Sequence, residues 1–351
     1  MKIFSHYKGL TEEYLCTYLD QKEKEFSFVN SWGADVMQRL QSFTLPGKMI
    51  RGGLVILAAD MLTSPHYHDS IALAAGMELA QSSLLIHDDI MDRDLTRRGA
   101  PSFFAQYKIL AEEQTLNEPY HFGEAMGICA GDIGFFLLYD IVGALKVDPL
   151  IKVSLLQILS RELTLVGLAQ MQDVYFGATS SPAPLEDILS LYRHKTARYT
   201  FSLPLLLGAT LAGAQSELLD KLSLLGEDMG IIFQLRDDEL DIFGDEEKIG
   251  KPVGSDIREN KKTFYHAFLL KNAEGPDRKK AAAIFGNPDA SPEDIKFIHQ
   301  LIFRYGVQET IQNKINSHRE NALSILNSLK IPDSFRETLE ELLLYLEKRE
   351  K

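Results

Sequence analysis

Apolar residues recur at three-and-four spacing through most of the 351 residues, and no convincing run alternates apolar with polar at period two. The first period lays one apolar stripe along a helix and the second is what a half-buried strand needs, so the pattern predicts an all-α protein. Turn chemistry supplies the breaks. Leu45-Pro46-Gly47, Gly99-Ala100-Pro101, Ser180-Ser181-Pro182-Ala183-Pro184 and the stretches 244–254 and 286–292 bring glycine and proline together, mostly between helical windows. None reads as a long flexible linker, and neither a fixed-period repeat nor a low-complexity segment occurs, so a single domain over residues 1–351 is expected.

Composition changes this picture little. With 45% hydrophobic and 25% charged residues the chain is an ordinary globular one, with enough apolar material for one large helical core or two small ones. A formal charge of -13 argues against nucleic acid or an anionic membrane surface as partner, because both require a cationic footprint. Cys16 and Cys129 form neither a CxxC motif nor a disulfide framework, which fits a reducing cytoplasm. The first residues lack the apolar core of a signal peptide, and the run from Leu203 to Ala214 is too short to span a bilayer and is broken by Pro204, Gly208 and Gly213, so no transmembrane segment is expected.

Candidate chemistry lies in two acidic clusters of one design, Asp88-Asp89-Ile90-Met91-Asp92 and Asp237-Asp238-Glu239-Leu240-Asp241. On a helix, residues four apart share a face, so Asp88 with Asp92, and Asp237 with Asp241, each pair two carboxylates. Like charges at that spacing repel, and a helix has no structural reason to choose them twice. A solvated helix end is the plain alternative, but the residues before the first cluster are apolar, small or amide. Hard oxygen ligands suit Mg²⁺, which keeps several waters and shares its shell with substrate phosphates.

Basic and amide side chains accompany the clusters. Gln81 lies two turns before Asp88 on its face, Arg97 and Arg98 follow the first cluster, and Gln234 precedes Asp237. Lys48 and Arg51, Lys195 beside Thr196, Lys251 after Gly250, and Lys261 sit near glycines or helix boundaries, where backbone amides help to hold phosphate oxygens. Taken singly, such a residue is more often a helix-dipole partner or a solubility charge. Gln170 and Asp173 form a polar pair on an apolar helix that a core hydrogen bond explains equally well. His87 reads as a helix residue supporting the site.

Together these residues resemble the trans-prenyltransferases, the polyprenyl diphosphate synthase family that includes geranylgeranyl and farnesyl diphosphate synthases. The match runs from Gly47-Lys48-x-x-Arg51 through Asp88-Asp89-x-x-Asp92, Arg97-Arg98-Gly99, Gly131-Asp132, Gln170-x-x-Asp173, Lys195-Thr196-Ala197 and Phe233-Gln234-x-x-Asp237-Asp238-x-x-Asp241 to Gly250-Lys251 and Lys261. Gly52 stands where the family more often has proline, and Asn260 where many bacterial members have glycine.

The resemblance implies an isoprenoid-synthase type helical bundle around a central cavity, a homodimer, and Mg²⁺, with three ions when substrate is bound. By the family pattern Asp88, Asp92 and Asp237 hold metal, with Asp89, Asp238 and Asp241 completing the catalytic motifs. Arg97, Lys195 and Lys251 grip the diphosphate of an allylic substrate; Lys48, Arg51, Gln81 and Arg98 bind that of isopentenyl diphosphate, and Lys261 joins the substrate-binding set. Gln234, the Thr196 hydroxyl and the Lys195 carbonyl ease the allylic cation.

Product length in this family is set by residues one to two turns before the first cluster. Ser83 and Leu84 lie five and four residues before Asp88, with Ala80 a further turn down. Ser83 is small where many farnesyl-producing members carry an aromatic ring, so a product of C20 or longer is expected. The alternatives are a farnesyl diphosphate synthase, a class I terpene cyclase, and a non-catalytic subunit of a heteromeric synthase. Lys48, Arg51, Gln81 and Arg98 speak against the cyclase, which has no second diphosphate to hold, and the intact acidic motifs speak against the subunit.

Overall fold

A computed structural model describes residues 2–179, 181–244 and 254–349. In chain order its first helices are α1 (Lys2–Phe26), α2 (Ser31–Thr44), α3 (Ile50–Met61), α4 (Tyr67–Asp92), α5 (Phe103–Glu113), α6 (Pro119–Ala144), α7 (Pro149–Ala178), α8 (Leu185–Leu191), a π-helix (Tyr192–Ser202), α9 (Leu203–Leu211) and α10 (Ser216–Phe243). Further helices cover Ser255–Arg258, Phe264–Asn272, Gly275–Ile284, Pro292–Arg304, Val307–Ser328 and Asp333–Glu347. The all-α expectation holds, with one small exception among the described residues. Thr96–Arg97 and Ala100–Pro101 pair antiparallel, too short a ladder to leave a period-two signal. Arg98 and Gly99 between them have φ of +55° and +76°, the double left-handed turn that matches the twist of a two-residue hairpin.

The chain forms two compact units, Met1–Ile158 with Pro204–Gln215, and Leu159–Leu203 with Ser216–Lys351. In the first, α4 packs against α1, α3 and α6. Leu54, Val55, Ile56 and Leu57 of α3 are all fully buried, each burial stabilising by about 1.5–3 kcal/mol. Glycines at 131 and 134 let α6 approach α4 closely, since a Cβ at either would overlap His87 or Ser83. By length and composition α6 is apolar enough to cross a membrane, a feature the sequence reading overlooked in favour of 203–214; its inner side is covered by α4 and α5.

In the second unit α10 packs against the π-helix and the Val307–Ser328 helix. Gly226 and Gly230 have no room for a Cβ against Ser202 and Ala197, and this approach fixes the register of α10 with the π-helix. The two run antiparallel, so four residues forward on one answer four back on the other: Tyr192 meets Asp238, and Thr196 meets Gln234.

Candidate active site

At the first cluster the three aspartates part company. Asp88 is half-buried with a side-chain exposure of 27%, and Asp92 is exposed, whereas Asp89 is fully buried. A left-handed residue, Arg93 at φ +59°, ends α4, and Asp94 N–H closes on Asp89 O at 2.8 Å, turning the chain into the hairpin. That return brings Arg97 Nε within 2.6 Å of Asp89 Oδ1, and Arg97 Nη2 within 3.9 Å of Asp88 Oδ2. Burial pushes the Asp89 carboxyl up to about 6, although Arg97 pulls it down. Asp89 is therefore committed to a cation of its own chain. His87 Nε2 lies 3.2 Å from Ile128 O, a contact between α4 and α6.

A second basic group gathers around the α2–α3 connection. Lys48 is exposed in that loop and Arg51 half-buried in the first turn of α3. The hairpin turn carries Arg98 to the same place, where its Nη1 donates to Phe43 O at 3.3 Å. Ser82 of α4 is hydrogen-bonded at 2.7 Å to Thr44 at the end of α2, and Gln81, half-buried, precedes Ser82 on α4. Beneath lies Glu78, whose Oε1 accepts from Gly52 N–H at 2.7 Å. Burial raises the Glu78 carboxyl, opposed by Gly52 N–H and by the charges of Arg51 and Arg98. The glycine at 52 thus supplies a donor that proline would lack.

The second cluster divides in the same way. Asp237 keeps 46% of its side chain exposed and pairs with Arg349 at 2.9 Å, whose guanidinium lies 4.3 Å over the Phe233 ring. Asp238 is buried; it accepts from the Tyr192 hydroxyl and, at 2.9 Å, from Gln234 Nε2. Burial drives Asp238 well above the usual carboxylate range and Tyr192 above the usual phenol range. Asp241 is buried too, accepting from Ser255 Oγ at 2.5 Å and Asp256 N–H at 3.0 Å. Thr196 Oγ1 donates to Gln234 Oε1 at 2.8 Å. Lys195 is bound to Asp173, so the Asp173 end of the Gln170–Asp173 motif touches the Lys195-Thr196 segment. An extended π-helix is rare and often marks a functional site, and here it carries both Lys195 and Thr196.

Lys251 lies outside the described residues. Lys261 pairs with Glu259 at 3.2 Å, following Asn260 at φ +59°, a conformation that explains why asparagine or glycine suits that place. Of the chain-length candidates, Ala80 and Ser83 are fully buried, Ser83 Oγ donating to Leu79 O at 3.0 Å against Gly134, and Leu84 is half-buried. Sequence reasoning missed Glu78, Tyr192 and Arg349. A lone carboxylate in the apolar run before Gln81 was a signal for Glu78; the other two gave none.

Helices bearing two such acidic motifs, each with its own basic partners, define the isoprenyl synthase class. The polyprenyl synthetase family model matches residues 34–302. The short chain isoprenyl diphosphate synthase of Methanocaldococcus jannaschii is 34% identical over 250 residues, 71% of this chain and 70% of that one. The geranylgeranyl diphosphate synthase of Saccharolobus solfataricus is 30% identical over 308 residues, 87% and 86%. A crystal structure of geranylgeranyl pyrophosphate synthase from Corynebacterium glutamicum, complexed with isoprenyl diphosphate and magnesium, superposes with a TM-score of 0.90 at 32% identity, covering 98% of each chain. The chain belongs to the polyprenyl synthetase family, and its activity is that of a trans-prenyltransferase.

Proposed function

We propose that this chain joins isopentenyl diphosphate to an allylic diphosphate, head to tail between C1′ and C4, giving a linear trans-polyprenyl diphosphate of C20 or longer. The observation that carries the reading is the second basic group, Lys48, Arg51 and Arg98 around the α2–α3 connection, since a second diphosphate needs its own set of cations. Arg97, Lys195 and Lys251 serve the allylic diphosphate; Gln81 joins the isopentenyl set, and Lys261 assists in substrate binding.

The donor set suits Mg²⁺. Among the described residues no three carboxylate, histidine or cysteine side chains cluster tightly enough to cage a metal alone, and Mg²⁺ is typically bound through one or two carboxylates with water and substrate phosphate. Asp88, Asp92 and Asp237, the more exposed members of their clusters, would hold it, as three ions with substrate bound. Held by these carboxylates, Mg²⁺ would supply positive charge to offset that of the diphosphate. The allylic C1–O bond breaks and the diphosphate leaves, gripped by the basic side chains. The Gln234 side chain, the Thr196 oxygen and the Lys195 carbonyl ease the cation, the isopentenyl double bond attacks it through C4, and the departed diphosphate takes the proton lost from C2.

We read both compact units as one catalytic domain working in the cytoplasm as a homodimer. Support for the dimer comes from exposed Ile128 and Phe136 on α6, beside an apolar groove of about 470 Å³ lined by Trp32, Val36, Met37, Ile133, Phe136 and Leu137. The test incubates purified protein with isopentenyl diphosphate, Mg²⁺ and dimethylallyl, geranyl or farnesyl diphosphate in parallel, and sizes products by mass spectrometry. Linear products of C20 or longer are expected. Products that stop at C15 would make it a farnesyl diphosphate synthase, and hydrocarbons without isopentenyl incorporation would overturn the reading in favour of a cyclase.

A further inference from the structure

Two runs of hydrogen bonds, one from Phe264 through Tyr192 and one from Thr196 through Gln234, converge on the carboxylate of Asp238, which accepts from both sides. Phe264 N–H donates to the Tyr192 hydroxyl oxygen at 3.1 Å, and the Tyr192 proton turns to Asp238. Asp238 Oδ1 accepts from Gln234 Nε2 at 2.9 Å, and it does so whether or not the other carboxyl oxygen carries a proton. The Gln234 amide is thereby oriented, its NH₂ toward Asp238 and its Oε1 toward Thr196. An amide oxygen only accepts, so the Thr196 proton is drawn inward and Thr196 Oγ1 presents lone pairs on its remaining side.

We infer that Asp238, acting through Gln234, is a positioning residue that sets the polarity of the Thr196 hydroxyl so that an electron-rich oxygen meets the positive charge of the allylic intermediate. Tyr192 holds Asp238 in that role. The inference rests on the proposed reading that Thr196 faces the allylic carbon. It adds the direction of the hydroxyl, names the residue that decides it, and makes Gln234 a relay rather than a contact. In a buried chain each bond polarises the next, which strengthens the effect at the Thr196 end. It also gives the second aspartate of the motif a task other than metal binding: a side chain 2% exposed and bonded to Tyr192 and Gln234 is engaged inside the protein.

The experiment measures dissociation constants by calorimetry for two probes on the full chain with Mg²⁺: an allylic diphosphate analogue with an ammonium nitrogen at C3, and its uncharged carbon isostere. The ratio of the two reads how well the site favours positive charge, separately from its grip on diphosphate. Asparagine at 238 offers a donor as well as an acceptor, so the Gln234 amide loses its single orientation. Asp238→Asn is expected to lower the ratio about tenfold, the worth of one hydrogen bond, with the isostere changing by less than about twofold. Thr196→Val should lower the ratio likewise, the double variant no further, because both act through one oxygen.

A ratio unchanged in Asp238→Asn but lowered in Thr196→Val overturns the relay and leaves the site reading standing. A ratio unchanged in Thr196→Val overturns the site reading itself. The neutral amide suits a buried position; should Asp238→Asn nevertheless fail to fold, Tyr192→Phe is read the same way, and an unchanged ratio there overturns the relay.

Discussion

Arg97 reaches back from the hairpin to donate to Asp89 at 2.6 Å, and Asp89 is fully buried. Its neighbour Asp88, one position earlier on the same helix, keeps 27% of its side chain in solvent. Both carboxylates lie near Arg97, but Asp89 is held by it at hydrogen-bond distance inside the protein, whereas Asp88 meets it only at 3.9 Å and stays partly in solvent. Removing each should have a different consequence. Asp89→Ala takes from a half-buried guanidinium its hydrogen-bonded partner, so a stability loss of about 1–3 kcal/mol is expected in urea unfolding. Asp88→Ala should leave the unfolding midpoint nearly unchanged. Equal midpoints for the two variants would contradict this division.

Turnover should separate the second cluster too. Asp237→Ala, like Asp88→Ala, is expected to nearly abolish Mg²⁺-dependent condensation while the fold persists. Asp241→Ala should act first on stability, since Asp241 accepts from Ser255 Oγ and Asp256 N–H. Initial rates and thermal melts on the three variants check it; near-normal rates in Asp237→Ala would remove that residue from the metal site.

Product length is tested at Ser83. The side chain lies against Gly134, so Ser83→Phe has to overpack the α4–α6 contact, at a cost of about 1–3 kcal/mol. A lower melting temperature together with a shorter main product by mass spectrometry is the expected outcome. A lower melting temperature with product length unchanged would mean that residue 83 serves packing and not the tunnel floor.

One stability effect of pH lies away from the clusters. Burial holds His266 down to about 3, with Lys262 adding to the shift. The unfolded chain binds a proton near pH 6.5 that the folded chain refuses, so stability is full above that value and falls as pH drops toward about 3. The slope from this one group is about 1.4 kcal/mol per pH unit. Unfolding free energies of the wild type and His266→Phe between those limits should diverge; parallel curves would refute the assignment.

Arg349 pairs with Asp237 at 2.9 Å, on the carboxylate proposed to hold metal. A cation already on that oxygen competes with another. Arg349→Ala is therefore expected to lower the Mg²⁺ concentration for half-maximal rate several-fold, by roughly the worth of one partly exposed ion pair. A higher requirement in the variant would show that Arg349 assists the metal-loaded state instead.

Much of the site was legible beforehand because its residues are local. Asp88 and Asp92, or Lys195 and Thr196, are read by spacing along one helix, and Arg97 follows its cluster within a few residues. Tyr192 and Arg349 were not legible, because each acts across a distance in sequence that spacing does not cover, and Glu78 showed only as a lone carboxylate in an apolar run. The period-3.6 pattern likewise announced helices but not the π-helix, which α10 approaches closely at Gly226 and Gly230.

The sequence by itself determined that the chain is helical, that two acidic clusters each repeat a carboxylate at four-residue spacing, and that basic groups accompany them, since helix geometry alone puts residues four apart on one face. It was silent on which aspartate in each cluster points inward. On a helix Asp88 and Asp89 differ by about 100° of rotation, and so do Asp237 and Asp238. Only the elements packed alongside decide which direction is interior: the hairpin returning Arg97 to Asp89, and the π-helix bringing Tyr192 to Asp238. A buried polar group must find a partner, and that partner is supplied by another part of the chain.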